Sequence, residues 1–179
     1  MLIYLDANVV QYCATYDDFI FGDTDVCPVT ETKLQKELTA LRRLVELEQL
    51  GDWTFAAPPH LMRELRAGIP DGSQRTAYTT LQEAWSESAW SDDFQPDEGE
   101  IAKIEQSLSI LKLKDAPDQR HLAEAIALNA SWFLTNDKEV IRKANAEEAV
   151  QKTGGLLQGI RVRLPSECLE EISTGLFLK

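Results

Sequence analysis

Cysteine and histidine are scarce in this chain of 179 residues, and the scarcity removes several kinds of chemistry at once. The three cysteines, Cys13, Cys27 and Cys168, are odd in number and show no C-x-x-C spacing, so neither a disulfide framework nor a zinc knuckle is expected. They read as reduced, packed thiols. The two histidines, His60 and His121, both read as structural rather than ligating. No stretch approaches the ~20 apolar residues that a membrane span needs, and no early segment joins a basic start to a long apolar run. A cytoplasmic protein without membrane attachment is expected. Bases are short too, 18 against 30 acids, for a net charge of -12. That field repels polyanions and argues against a general nucleic-acid coat protein. A phosphodiester could be handled only where cations held by acids reverse the local potential.

What is present is a globular balance, 44% hydrophobic and 27% charged, in a length suited to one domain over residues 1–179. Leu2 to Leu5 is a short apolar run with the pattern of a central parallel strand. Asp17, Asp18, Asp23 and Asp25 lie in a segment from Tyr16 to Pro28 that reads as a solvated connection or a flap. Thr32 and Gln35 have capping-box spacing before Leu34, Leu38, Leu41 and Val45, so a helix is expected until Leu50 and Gly51. Trp53 to Ala57 reads as a second strand, closed by Pro58 and Pro59. Helices follow from Ser73 to Trp90 and from Glu98 to Leu111, the latter with Ile101, Ile104, Leu108 and Leu111 at helical spacing. Further elements are a helix near Lys138 to Ala149, a strand from Ile160 to Leu164, and a last short helix from Ser166. Strands alternating with helices imply an α/β fold with a mostly parallel central sheet covered on both faces.

The stretch DAPDQRHLAEAIALNASWFLTNDKEV, from Asp115 to Val140, gathers the most chemistry. Pro117 suits a first helical turn, which places Asp118 in that turn, and Asn129 suits the helix end. Trp132 to Thr135 then reads as a buried strand ending at Asn136 and Asp137. Asp6 stands at the carboxyl end of the first strand, where open α/β sheets bind ligands. The alternative is that Asp6 or Asn8 merely caps the next helix. Glu64 follows the second strand, flanked by Arg63 and Arg66, and by itself reads as part of an ion-paired surface helix.

These residues resemble the PIN-domain family, which includes VapC-like ribonucleases. MLIYLDANVV resembles the family's opening strand, with Asp6 at its terminal acid. PPHLMREL resembles the second acidic element, with Glu64 at the matching place. Asp118 to Ala125 and Leu134 to Asp137 resemble the D-x-x-H-L-A-x-A-like helix start and the L-T-N-D-like strand end. The resemblance implies a three-layer α/β/α sandwich in which Asp6, Glu64, Asp118 and Asp137 converge, with Asp6 and Asp118 as central metal ligands. Four carboxylates in one cleft need cations or shared protons, and oxygen ligands favour Mg²⁺ or Mn²⁺. Asn8, Asp115, Thr135 and Asn136 would orient the ligands, and Arg63, Arg66 and Arg120 would hold the substrate backbone. The activity implied is that of a metal-dependent endoribonuclease acting on RNA, as in toxin/antitoxin pairs.

Two other classes stay open. Phosphoryl-transfer enzymes of the haloacid dehalogenase type also begin with a strand and an Asp, but they want a second Asp two residues on, where this chain has Asn8. A non-catalytic interaction module would use leucine-rich helices as its partner surface. The helix from Lys33 to Leu50 carries Leu34, Leu38, Leu41, Leu44, Val45, Leu47 and Leu50, more than one core stripe needs. A protein regulator such as an antitoxin, or a second copy in a homodimer, is the expected occupant, with a neighbouring helix of the same chain as the alternative.

Overall fold

The structure, a computed structural model, describes residues 1–22, 24–48, 53–57, 76, 81 and 97–176. His60, Arg63, Glu64 and Arg66 lie outside the described residues, as does Leu50; of the helix expected from Ser73 to Trp90, Thr76 and Leu81 are described, and both are helical. Four strands are present among the described residues: β1 (Leu2–Leu5), β2 (Thr54–Ala56), β3 (Trp132–Leu134) and β4 (Arg161–Arg163). They form one all-parallel sheet in the order β2-β1-β3-β4. The register pairs Tyr4 with Ala56 on one side and with Phe133 on the other.

Strand side chains alternate between faces, and here both faces of the inner strands β1 and β3 are covered. Ile3, Leu5, Phe55, Trp132 and Leu134 point into one core, with residues from helices α1 (Ala7–Thr15), α2 (Asp17–Ile20), α3 (Thr32–Glu48) and α8 (Pro165–Leu176). Tyr4, Phe133 and Val162 point into the other, under α4 (Glu98–Leu108), α5 (Ala116–Ala127), α6 (Lys138–Ala144) and α7 (Glu147–Lys152). Tyr4 and Phe133 stack there with ring centroids 5.4 Å apart. The fold is therefore the expected three-layer α/β/α sandwich.

Several local expectations are corrected. The segment after Tyr16 is not only a solvated loop, because Phe19 and Ile20 are buried and fold Asp17–Ile20 into a helical turn. The single helix expected from Lys138 to Ala149 is two, since Asn145 ends α6, its side-chain amide donating 2.8 Å to the Val162 carbonyl, and Ala146 starts α7 in extended backbone. The last helix runs twelve residues, longer than expected. Of the apolar positions of α3, Leu38, Leu41 and Leu44 are fully buried, and Leu34, Val45 and Leu47 pack partly buried on the same core. A helix touched by the sheet, α2 and α8 needs a broader apolar face than a single stripe.

Candidate metal centre

The connection after β1 goes to one face of the sheet and the connection after β3 to the other, since α1 and α6 belong to opposite layers. Adjacent parallel strands whose connections diverge leave a crevice at their carboxyl ends, the usual ligand position in such sheets. Asp6 stands at that mouth, its N–H donating to the Leu134 carbonyl at 3.0 Å. Its side chain is almost wholly buried, at 1% exposure. Asp6 also caps α1, the alternative expected for it: Oδ1 accepts from the Ala7 N–H at 2.8 Å.

Three further donors converge on the same carboxylate. Asn8 Nδ2 and Thr135 Oγ1 each donate to Oδ2 at 2.7 Å, and His121 Nδ1 lies 3.1 Å from Oδ1. Asn8 Oδ1 accepts from the Asn136 N–H at 2.9 Å, which fixes the orientation of its amide. Thr135 Oγ1 accepts in turn from the Asp137 N–H at 3.0 Å. Asn8, Thr135 and Asn136 thus tie the end of β1 to the end of β3.

Asp118 comes from the first turn of α5, where Pro117 leaves no N–H to satisfy. His121 follows one turn later on the same helix face and is buried. Ligand atoms of Asp6, Asp118 and His121 all lie within 4.8 Å of one another. Two carboxylates and an imidazole are a donor set able to hold a metal ion. Burial pushes the Asp118 carboxyl up to about 6, and the charges of Asp6, Asp137 and Asp115 add to the rise while His121 opposes it. Such a carboxyl would gain from a cation beside it.

The remaining expected residues divide. Asp137 caps α6, with Oδ1 accepting from the N–H groups of Glu139 and Val140 at 2.6 and 3.3 Å; its charge reaches Asp118, but it is not one of the three clustered ligands. Asp115 occupies the N-cap position of α5 without a side-chain cap bond and is exposed. Arg120 turns to carboxylates of its own layer, with Glu124 at 2.7 Å, Glu98 at 2.6 Å and Glu105 at 3.6 Å. Its guanidinium is thereby engaged within the layer of α4 and α5.

Two polar residues escaped the sequence reading. His121 was expected to be structural, and it does hold Asp6, yet it also joins the ligand cluster; its i, i+3 spacing from Asp118 is the signal that could have placed it there. Glu124 is buried at 1% exposure, accepting from the Tyr4 hydroxyl at 2.9 Å and from Arg120. Its burial depends on Tyr4, which lies 120 residues earlier, and such a contact leaves no periodic mark in a sequence. No family model, no curated protein and no solved structure matches this chain.

Proposed function

We propose that this protein is a metal-dependent phosphodiesterase that cuts RNA, an endoribonuclease of the PIN type. The reading is carried by the placement of Asp6, Asp118 and His121 within 4.8 Å of one another at the strand ends where the sheet topology opens a crevice. A divalent ion bound there, Mg²⁺ or Mn²⁺, would activate water and offset charge on a phosphodiester. Asp6 is pre-aimed by its hydrogen bonds, so its orientation is settled before any ligand arrives. Asp118, half-buried with its carboxyl raised to about 6 by burial and neighbouring acids, would be held ionised by an ion bound beside it. Glu64 is a fourth acid on the resemblance alone. A role as the toxin of a toxin/antitoxin pair fits an RNA-cutting activity that its own cell must restrain.

The dehalogenase-type alternative loses its footing at Asn8, whose amide is occupied by Asp6, Thr135 and Asn136. The test is cleavage of single-stranded and structured RNA with Mn²⁺ or Mg²⁺, against EDTA and Asp118→Asn as controls. Asp118→Asn is preferable to Asp6→Asn because Asp118 makes no cap. Cleavage should fall at least about a hundredfold in both controls, the scale of losing a metal or its ligand. RNA left intact across a broad panel with Mn²⁺ bound would remove the nuclease reading.

A further inference from the structure

The Asp6 carboxylate already accepts at all of its sites. An ionised carboxylate offers about four lone-pair positions, and four donors meet Asp6: the Ala7 N–H, Asn8 Nδ2, Thr135 Oγ1 and His121 Nδ1. An ion can therefore reach Asp6 only by displacing a donor. The Ala7 N–H is fixed by the start of α1. Asn8 and Thr135 are each held from behind, by the Asn136 and Asp137 N–H groups. His121 makes the longest of the four contacts, 3.1 Å, and lies on the helix that carries Asp118.

That contact also has the dimension of a coordination edge. Neighbouring ligands on a six-coordinate ion with bonds of about 2.1 Å are about 3.0 Å apart. Oδ1 of Asp6 and Nδ1 of His121 are separated by nearly this distance, and ligand atoms of Asp6, Asp118 and His121 lie within 4.8 Å of one another. We propose that His121 is a metal ligand, the ring passing to its neutral Nε2–H tautomer so that the ion takes the place of the Nδ1 proton, and that this nitrogen makes the site prefer Mn²⁺ to Mg²⁺. The inference rests on the metal-dependent reading above and adds the residue that selects the ion. The chemical ground is that Mg²⁺ takes oxygen ligands and keeps its waters, whereas imidazole nitrogen is accepted more readily by first-row transition ions. A His121 that only steadied Asp6 would instead help both ions alike.

Electron spin-echo envelope modulation on the intact Mn²⁺-loaded protein reads the nitrogen directly. A nitrogen coupling is expected in the parent and is lost in His121→Asn. Calorimetry should show Mn²⁺ affinity falling by about tenfold or more in His121→Asn, the scale of removing a ligand, with Mg²⁺ affinity changed by less than about threefold. Bound Mn²⁺ without nitrogen coupling overturns the assignment, as does an equal loss for both ions. The parent spectrum decides even where the variant does not fold. Nitrogen coupling without RNA cleavage would sustain this inference and remove the nuclease. Failure of Mn²⁺ to bind at millimolar concentration would remove both.

Discussion

Asp118 is the residue where pH and stability meet. Its native carboxyl titrates at about 6 against an ordinary 3.8, so between those values the folded chain holds more protons than the unfolded one. Stability therefore falls as pH rises through this window; the penalty is absent below the unfolded value and complete above the native one. The whole shift would amount to about 3 kcal/mol, and solvent screening at a half-open position brings it to about 1 kcal/mol. Asp118→Asn in the metal-free protein is expected to gain that much at pH 7.5 and nothing at pH 3.5, as read by urea unfolding. Equal gains at both pH values would show that the charge is not the cause. Glu124 behaves oppositely. It is buried against Tyr4 and Arg120, so Glu124→Ala should lose about 2–4 kcal/mol by the same measurement. The thiols follow burial as well: Cys13 and Cys168 are buried with their pKa values pushed up to about 12, so an ellman-type reagent should label native Cys27 first and the other two only on unfolding.

Elements are joined by side chains reaching across them. Glu37 of α3 accepts from both the N–H and the hydroxyl of Ser166, each at 2.9 Å, and so caps α8 from a neighbouring helix. Glu37→Ala should cost about 1–2 kcal/mol in unfolding free energy, and Glu37→Gln less, because the amide oxygen can still accept. If the two substitutions are alike, the carboxylate's charge rather than its acceptors carries the effect. At this scale much was legible. Leu2–Leu5, the Leu38, Leu41 and Leu44 rhythm, and the helix-then-strand unit of α5 and β3 all announce themselves through burial period, and Asn129 ends α5 in the left-handed conformation, φ 54, that its type tolerates. The break at Asn145 was not legible, because the amide's bond to the Val162 carbonyl belongs to a strand that arrives later in the chain. Nor was the turn of Arg120 toward Glu98 and Glu105, because both acids come from α4, earlier in the chain, and meet it only through the packing of α4 on α5. The site was half legible. Asp6 and Asp118 stand where strand end and helix start put them, whereas the grip of His121 on Asp6 spans 115 residues and depends on the packing of α5 on the sheet.

Charge acts on the whole molecule. With a net charge of -12, self-repulsion opposes the compact state. Raising NaCl from roughly 20 to roughly 300 mM should therefore raise Tm, by about 2–4 °C for each kcal/mol of repulsion screened. Mn²⁺ should stabilise beyond this, by about 2.7 kcal/mol at a hundred times its Kd, and a matched rise in ionic strength should not reproduce it. The four hydrogen bonds on Asp6 have a consequence for descent. Replacing Asp6 by Asn would turn an NH₂ toward donors, so a lineage that no longer used the chemistry would still be held to this residue by its fold. Asp118 is under the contrary pressure, since ionised it weakens the protein that carries it. Across descendants, Asp6 would be kept by the fold whatever the protein does, whereas Asp118 would persist only where something rewards keeping it.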